Sequence, residues 1–296
     1  MTVHLRLLIG TLALAASSVP AAELPDARAA RADIKSTLGF VPGFFSVFPD
    51  EGLPGAWEEF KGVQLNPRSA IPPKYKELIG LGVAAQIPCE YCVYFHTRAA
   101  KASGATDREI REAVGMAAIV RHWSTWLNGA QIDEAGFRAE LDQVVANAKA
   151  GAKAPATAAI TDAASAREDI RATLGLVPAF FNSFPDAGIA GAWREMKGLQ
   201  LNPDTAIPPK YKELIGLGVA AQIPCRYCTA FHTQVSTALD GATQAEVQEA
   251  IAMAAIVRHW STFLNGAQID KASFKAEVDR VMAPAKKTAK LQATSQ

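Results

Sequence analysis

Twenty residues, "AIPPKYKELIGLGVAAQIPC", run from Ala70 to Cys89 and return unchanged from Ala206 to Cys225, 136 positions later. "MAAIVRHWST" starts at Met116 and again at Met253, now 137 positions apart, so one residue is inserted between His232 and Gly241. Upstream, "TLGFVPGFFSVFPD" is answered by "TLGLVPAFFNSFPD". A period this long is a duplicated domain and not a solenoid repeat. Whatever one copy folds into, the other must fold into as well.

Within each copy the patterns are helical. Pro72 and Pro73 suit a helix start, where the first turn has no intrahelical donor to lose. Tyr75, Leu78, Ile79 and Val83 follow a helical period, and Pro88 ends the segment. The next helix starts at or near Cys89 and finishes by Gly104, a good residue just past a helix end. Thr106 with Glu109, and Thr243 with Glu246, are capping boxes. Ile110, Val114, Ala117 and Trp123 mark one stripe of the long helix that follows. No alternating strand pattern occurs, so the fold class is all-α, two homologous helical domains in tandem. The boundaries read as domain 1 over 23–150, a linker over 151–165, domain 2 over 166–285 and a disordered tail over 286–296.

The chain has 296 residues, 49% of them hydrophobic, with 30 Lys plus Arg against 29 Asp plus Glu. That balance excludes a strongly basic nucleic-acid or membrane-surface protein. "MTVHLRLLIGTLALAASSVPAAELP" has Arg6, an apolar run from Leu7 to Ala16 and small residues before Ala21 and Ala22. It reads as a signal peptide over 1–22, too short to span a bilayer at about 20 apolar residues. The mature chain is therefore expected in the periplasm or secreted, with no membrane span.

All four cysteines lie in two C-x-x-C pairs, Cys89 with Cys92 and Cys225 with Cys228. Four cysteines allow three pairings, and spacing favours the two local ones. A bridge over so short a loop removes little unfolded-state entropy, which favours a redox role over a stabilising one. Cys89, Cys92 and His96 are spaced i, i+3, i+7, and Cys225, Cys228 and His232 repeat this, so each set shares one helix face. A helix N-terminus lowers the pKa of a thiol placed there. Glu77 and Glu213, twelve residues before the first cysteine of each pair, are candidates to orient the imidazole. Each set is expected to be complete within its own copy. The bland alternatives are an inert local disulfide, a structural zinc site short of its usual four ligands, and a surface Glu77 paired with Lys74 or Lys76. His122 and His259 read as structural, Trp123 and Trp260 as pocket candidates, and the Phe-rich segment as packing.

The pattern E-x11-C-x-x-C-x3-H, followed by "GATDREIREAVGMAAIV", resembles the AhpD-like alkylhydroperoxidases of the carboxymuconolactone decarboxylase superfamily. The resemblance covers about residues 55–135 and 190–272. It implies an oligomerising helical fold and a thiol peroxidase or disulfide reductase with a hydroperoxide or disulfide substrate, a separate thiol reductant, and no cofactor or metal. On that mapping Cys92 and Cys228 react with peroxide and Cys89 and Cys225 resolve them. His96 and His232 relay the proton, and Glu77 and Glu213 orient them or accept it. Some members carry a histidine just before the second cysteine, where this chain has Tyr91 and Tyr227. The other readings are a decarboxylase-like lyase and a non-enzymatic exported interaction protein; retention of all four residues in both copies weighs against the latter. Single-domain relatives assemble as trimers or hexamers, so the expected oligomer is a trimer of two-domain chains, a pseudo-hexamer, with each chain supplying two linked subunits.

Overall fold

The computed structural model describes residues 24–151 and 159–283. The expected signal peptide, residues 152–158 of the linker and the tail over 286–296 lie outside them. Among the described residues there is no strand. The first copy comprises α1 (Ala27–Leu38), α2 (Gly43–Ser46), α3 (Leu53–Glu59), a π-helical turn (Phe60–Gln64), α4 (Pro73–Gln86), α5 (Glu90–Ala102), α6 (Asp107–Gly129) and α7 (Glu134–Lys149). The second repeats it as α8 (Ala163–Leu174), α9 (Ala179–Asn182), α10 (Asp186–Glu195), a π-helical turn (Met196–Gln200), α11 (Pro209–Gln222), α12 (Arg226–Ala238), α13 (Gln244–Gly266) and α14 (Lys271–Met282). Helix α8 thus starts inside the expected linker.

The punctuation follows the sequence. Pro73 sits in the first turn of α4, and both capping boxes close as the threonine–glutamate spacing predicts. Helix α4 has no polar face: every residue from Lys76 to Ala84 is buried, which makes it a central helix. One expectation needs correction. On α6, Val114 points outward at 38% exposure. The buried side is instead Ala113, Met116, Ala117, Val120, Trp123 and Leu127, because a 3.6-residue period moves the stripe away from position 114.

The copies interlock about α4 and α11. Tyr75 and Tyr211 stack with ring centroids 3.5 Å apart. A Cβ added at Gly82 would come 3.0 Å from Ile215, and one at Gly218 would come 2.9 Å from Ile79. The absent side chains let the two helices approach. Helices α6 and α13 each pack on both α4 and α11, α14 lies on α5, and α7 lies on α12. Reciprocal caps stitch the arrangement. Glu112 accepts from the amides of Ala206 and Ile207, while Glu249 accepts from that of Ile71. Glu140 accepts from the amide of Ala179, and Glu277 from that of Gly43. Contacts exchanged this way, i with j and j with i, are those of a two-fold dimer built from one chain.

Candidate active site

The short link from Gln86 to Cys89 places each cysteine pair at a helix start. Cys89 is the N-cap of α5, and its Sγ accepts from the Cys92 amide at 3.3 Å; Cys225 does the same for α12 and Cys228 at 3.3 Å. Cys89 and Cys92 are joined as a disulfide, and Cys225 and Cys228 are buried thiols.

About two turns along, the imidazole folds back over the preceding helix. His96 Nδ1 lies 2.7 Å from Glu77 Oε2, and His232 Nδ1 lies 2.6 Å from Glu213 Oε2. All four side chains are buried. A carboxylate on Nδ1 fixes the tautomer and leaves Nε2 for chemistry. The ring rests on the helix backbone at Gly80 or Gly216, where an added Cβ would fall inside the imidazole. Glu77 is therefore no surface residue. Lys74 pairs with Glu109 at 2.7 Å instead. Lys76 is wholly buried and donates to Val63 O, Asn66 O and Ser69 Oγ. Desolvation holds the Lys76 and Lys212 ammonium groups below the usual lysine range.

That lysine ties the end of the π-helical turn to α4, which brings in a residue that sequence reasoning missed. Gln64 Nε2 donates to Glu77 at 3.3 Å, and Gln200 repeats this on Glu213 at 3.3 Å. Its one signal in the sequence is that the glutamine before "LNP" survives in both copies.

Each thiol pocket, with an empty volume of about 380 Å³, is walled on one side by its own copy and on the other by the opposite copy. Cys92, His96, Phe60 and Gln64 face Trp260, Leu264 and Phe274. Cys228, His232, Met196 and Gln200 face Trp123, Leu127 and Phe137. Trp123 and Trp260 thus do line pockets, each that of the opposite copy. Phe44 and Phe180, from the aromatic segments, line them too, whereas Phe45 and Phe181 are core. Asn265 Nδ2 lies 3.6 Å from Cys89 Sγ, and Asn128 Nδ2 lies 3.6 Å from Cys225 Sγ. Each glutamate–cysteine–cysteine–histidine set is gathered within its own copy, while the long helices α6 and α13 face away from their own cysteines and wall part of the opposite copy's pocket. Tyr91 and Tyr227 are struts between copies, their hydroxyls donating to Ile269 O and Ile132 O. His259 is exposed and stacks on Phe48, outside the pocket.

The electrostatics of the dithiol follow from these donors. The hydrogen bond from the Cys228 thiol, helped by Ser124, the Cys228 amide and Asn128, holds Cys225 down to about 6. Cys228, which donates that bond and is buried, is pushed above the ordinary thiol range. The pair keeps its one negative charge on the first sulfur, while the second faces the pocket. Among the described residues no group of three or more His, Cys, Asp or Glu side chains is arranged to hold a metal ion, and no helix is long and apolar enough to cross a membrane.

The comparisons agree with this architecture. A crystal structure from Burkholderia xenovorans, described as a candidate γ-carboxymuconolactone decarboxylase subunit, matches with a TM-score of 0.54 at 17% identity, over 86% of this chain and 99% of that one. No curated protein matches in sequence. The model of the carboxymuconolactone decarboxylase family matches twice, over residues 51–135 and 187–272, one segment in each copy. The chain is a tandem-duplicated member of the carboxymuconolactone decarboxylase family.

Proposed function

We propose that the chain is a thiol-dependent oxidoreductase that reduces hydroperoxides, with disulfides as the related substrate. One observation carries this reading: in each copy a carboxylate-held imidazole and the second cysteine of a C-x-x-C pair line one apolar pocket.

In the second copy the steps run as follows. His232 Nε2 takes the proton of Cys228 as that sulfur attacks the outer peroxide oxygen. The O–O bond breaks, Cys228 becomes a sulfenic acid, and the departing alkoxide takes a proton from the imidazolium and leaves as the alcohol. Cys225, already a thiolate above about pH 6, attacks the Cys228 sulfur and expels hydroxide, which takes up a proton from solvent and leaves as water. The two electrons come from the dithiol, which closes to a disulfide, and an external dithiol restores it. A depressed pKa on the first sulfur is what a resolving nucleophile needs, because it must be ionised when the sulfenic acid forms. The first copy runs the same cycle with Glu77, His96, Cys92 and Cys89.

Reduced protein is expected to lose its four thiols on two equivalents of organic hydroperoxide and to regain them with dithiothreitol, as read by thiol titration and peptide mapping. Thiols that survive a large excess of peroxide would remove the reading. The family's name favours a lyase as the second reading, and turnover of a carboxymuconolactone that persists with all four cysteines changed to serine would support it. We further propose that residues 1–22 direct export, and that the chain assembles as a trimer of two-copy chains. Both are checked on protein recovered from the source cell, by its amino-terminus and by its mass in solution.

A further inference from the structure

Resting on the reading of both sites as thiol peroxidases, we propose that the two sites differ in substrate. The second-copy site takes bulky, uncharged organic hydroperoxides whose apolar tail lies in a cavity that the first-copy site has only in reduced form.

Beside the Cys228 pocket is a second cavity, with an empty volume of about 850 Å³ counted out to its mouth. Phe137, Phe180, Met196 and Phe231 line both spaces, so they form the wall between the sulfur and the cavity. The counterpart in the first copy, bounded by Phe44, Phe60 and Phe95 beside the Cys92 pocket, has about 420 Å³. The larger one has the mostly apolar lining of small-molecule sites.

The volume difference coincides with where the copies diverge in sequence. The dividing wall has Met196 where the first copy has Phe60, an adaptable thioether in place of a rigid ring. Val235 stands where the first copy has Ala99 and extends the apolar lining, and Leu239 lies in the stretch between His232 and Gly241 that carries the one-residue insertion. Leu239 lines the cavity and remains 38% exposed, one of four large hydrophobic side chains left open to solvent among the described residues. A leucine added at a cavity mouth extends an apolar surface outward. The lining has one charged group, Glu140, whose two carboxylate oxygens already accept from the Ala179 amide. No cation lines the cavity to receive a carboxylate tail, which is why the ligand is uncharged. With the tail in the cavity and Met196 moved aside, the peroxide head lies at Cys228, and the alcohol leaves along the same path.

The test uses the full chain with one site disabled at a time. Cys89→Ser with Cys92→Ser leaves the second site, and Cys225→Ser with Cys228→Ser leaves the first. The ratio of kcat/KM for cumene hydroperoxide to that for hydrogen peroxide is expected to be at least tenfold higher in the protein that keeps the second site. Val144→Trp, which fills the cavity, should lower that ratio by about tenfold. Independently of turnover, the chain with all four cysteines changed to serine should bind one equivalent of cumyl alcohol in calorimetry, and Val144→Trp should abolish it. Equal ratios at the two sites, or two equivalents of alcohol, would overturn the proposal while leaving the peroxidase reading intact. If neither single-site protein consumes any hydroperoxide, the peroxidase reading falls. The alcohol arm then judges the cavity alone, and no binding there overturns it.

Discussion

At each site a sulfur meets a side-chain amide from the other copy, and the consequence can be measured. Asn128 Nδ2 points at Cys225 Sγ from 97 residues away. A donor to a thiolate favours the charged form, so removing it must raise the pKa. A hydrogen bond to a charged group contributes roughly 1.5–3 kcal/mol, and about 1.4 kcal/mol is one pKa unit. Asn128 is the weakest of the donors that hold the Cys225 thiolate, so Asn128→Leu should move the midpoint up from about 6 by no more than about one unit, the low end of that range. Ultraviolet thiolate absorbance against pH, in protein that keeps only the second pair, reads this directly. Asn265→Leu should leave that curve in place, and a curve unmoved by Asn128→Leu would deny the amide its role. In the same protein, His232→Gln should slow peroxide-driven thiol loss by roughly a hundredfold or more, the usual scale of a lost acid–base group, with the helical circular dichroism spectrum unchanged. The four residues of each set were legible because they lie within about twenty positions of one another, where helix periodicity converts spacing into proximity. Asn128, Asn265, Gln64 and Gln200 were not, since neither a long separation nor a π-helical turn leaves a local pattern.

Helices α4 and α11 are where the element fixes the chemistry. Each carries two glycines near its middle, at about 1 kcal/mol apiece relative to alanine in a helix interior. One admits the imidazole against the backbone, and the other admits the opposite copy. Gly216→Ala should gain the propensity term and lose more, because the methyl displaces His232 from Glu213. The expected outcome is a lower Tm and a second site that turns over poorly. Gly191→Ala, in α10 where nothing lies within 4 Å of the added atom, should instead raise Tm by a few degrees, the equivalent of up to about 1 kcal/mol. Thermal melts of the two variants side by side make the comparison. Helix ends were readable because proline, glycine and capping boxes act within a turn. The burial of α4 on every side was not, because its charged residues, Lys76 and Glu77, find partners that only the folded chain supplies.

For the whole molecule, the duplication told that the copies are alike but not which surfaces they exchange. One side of each pocket comes from the opposite copy, so damage should cross over. Trp260→Ala should impair the first site and spare the second, and Trp123→Ala should do the reverse, as read by peptide-resolved alkylation after limiting peroxide. Residues 24–151 expressed alone should expose the apolar faces of α4 and α6 and aggregate. Co-expression with residues 159–283 should restore a soluble pair. A soluble, monomeric first half with a reactive cysteine pair would contradict the interlocked core.

The 176-residue separation between Cys89 and Asn265 also has a meaning in time. At synthesis rates of roughly 5–20 residues per second, Cys89 leaves the ribosome roughly 10–35 s before the helix that closes over it exists. For that interval the first thiol pair has its imidazole and its carboxylate but no lid, while the second pair emerges to find α6 already made. The two copies are thus born into different circumstances: the first is finished last, and the chain gains a complete first site only when its final helices arrive.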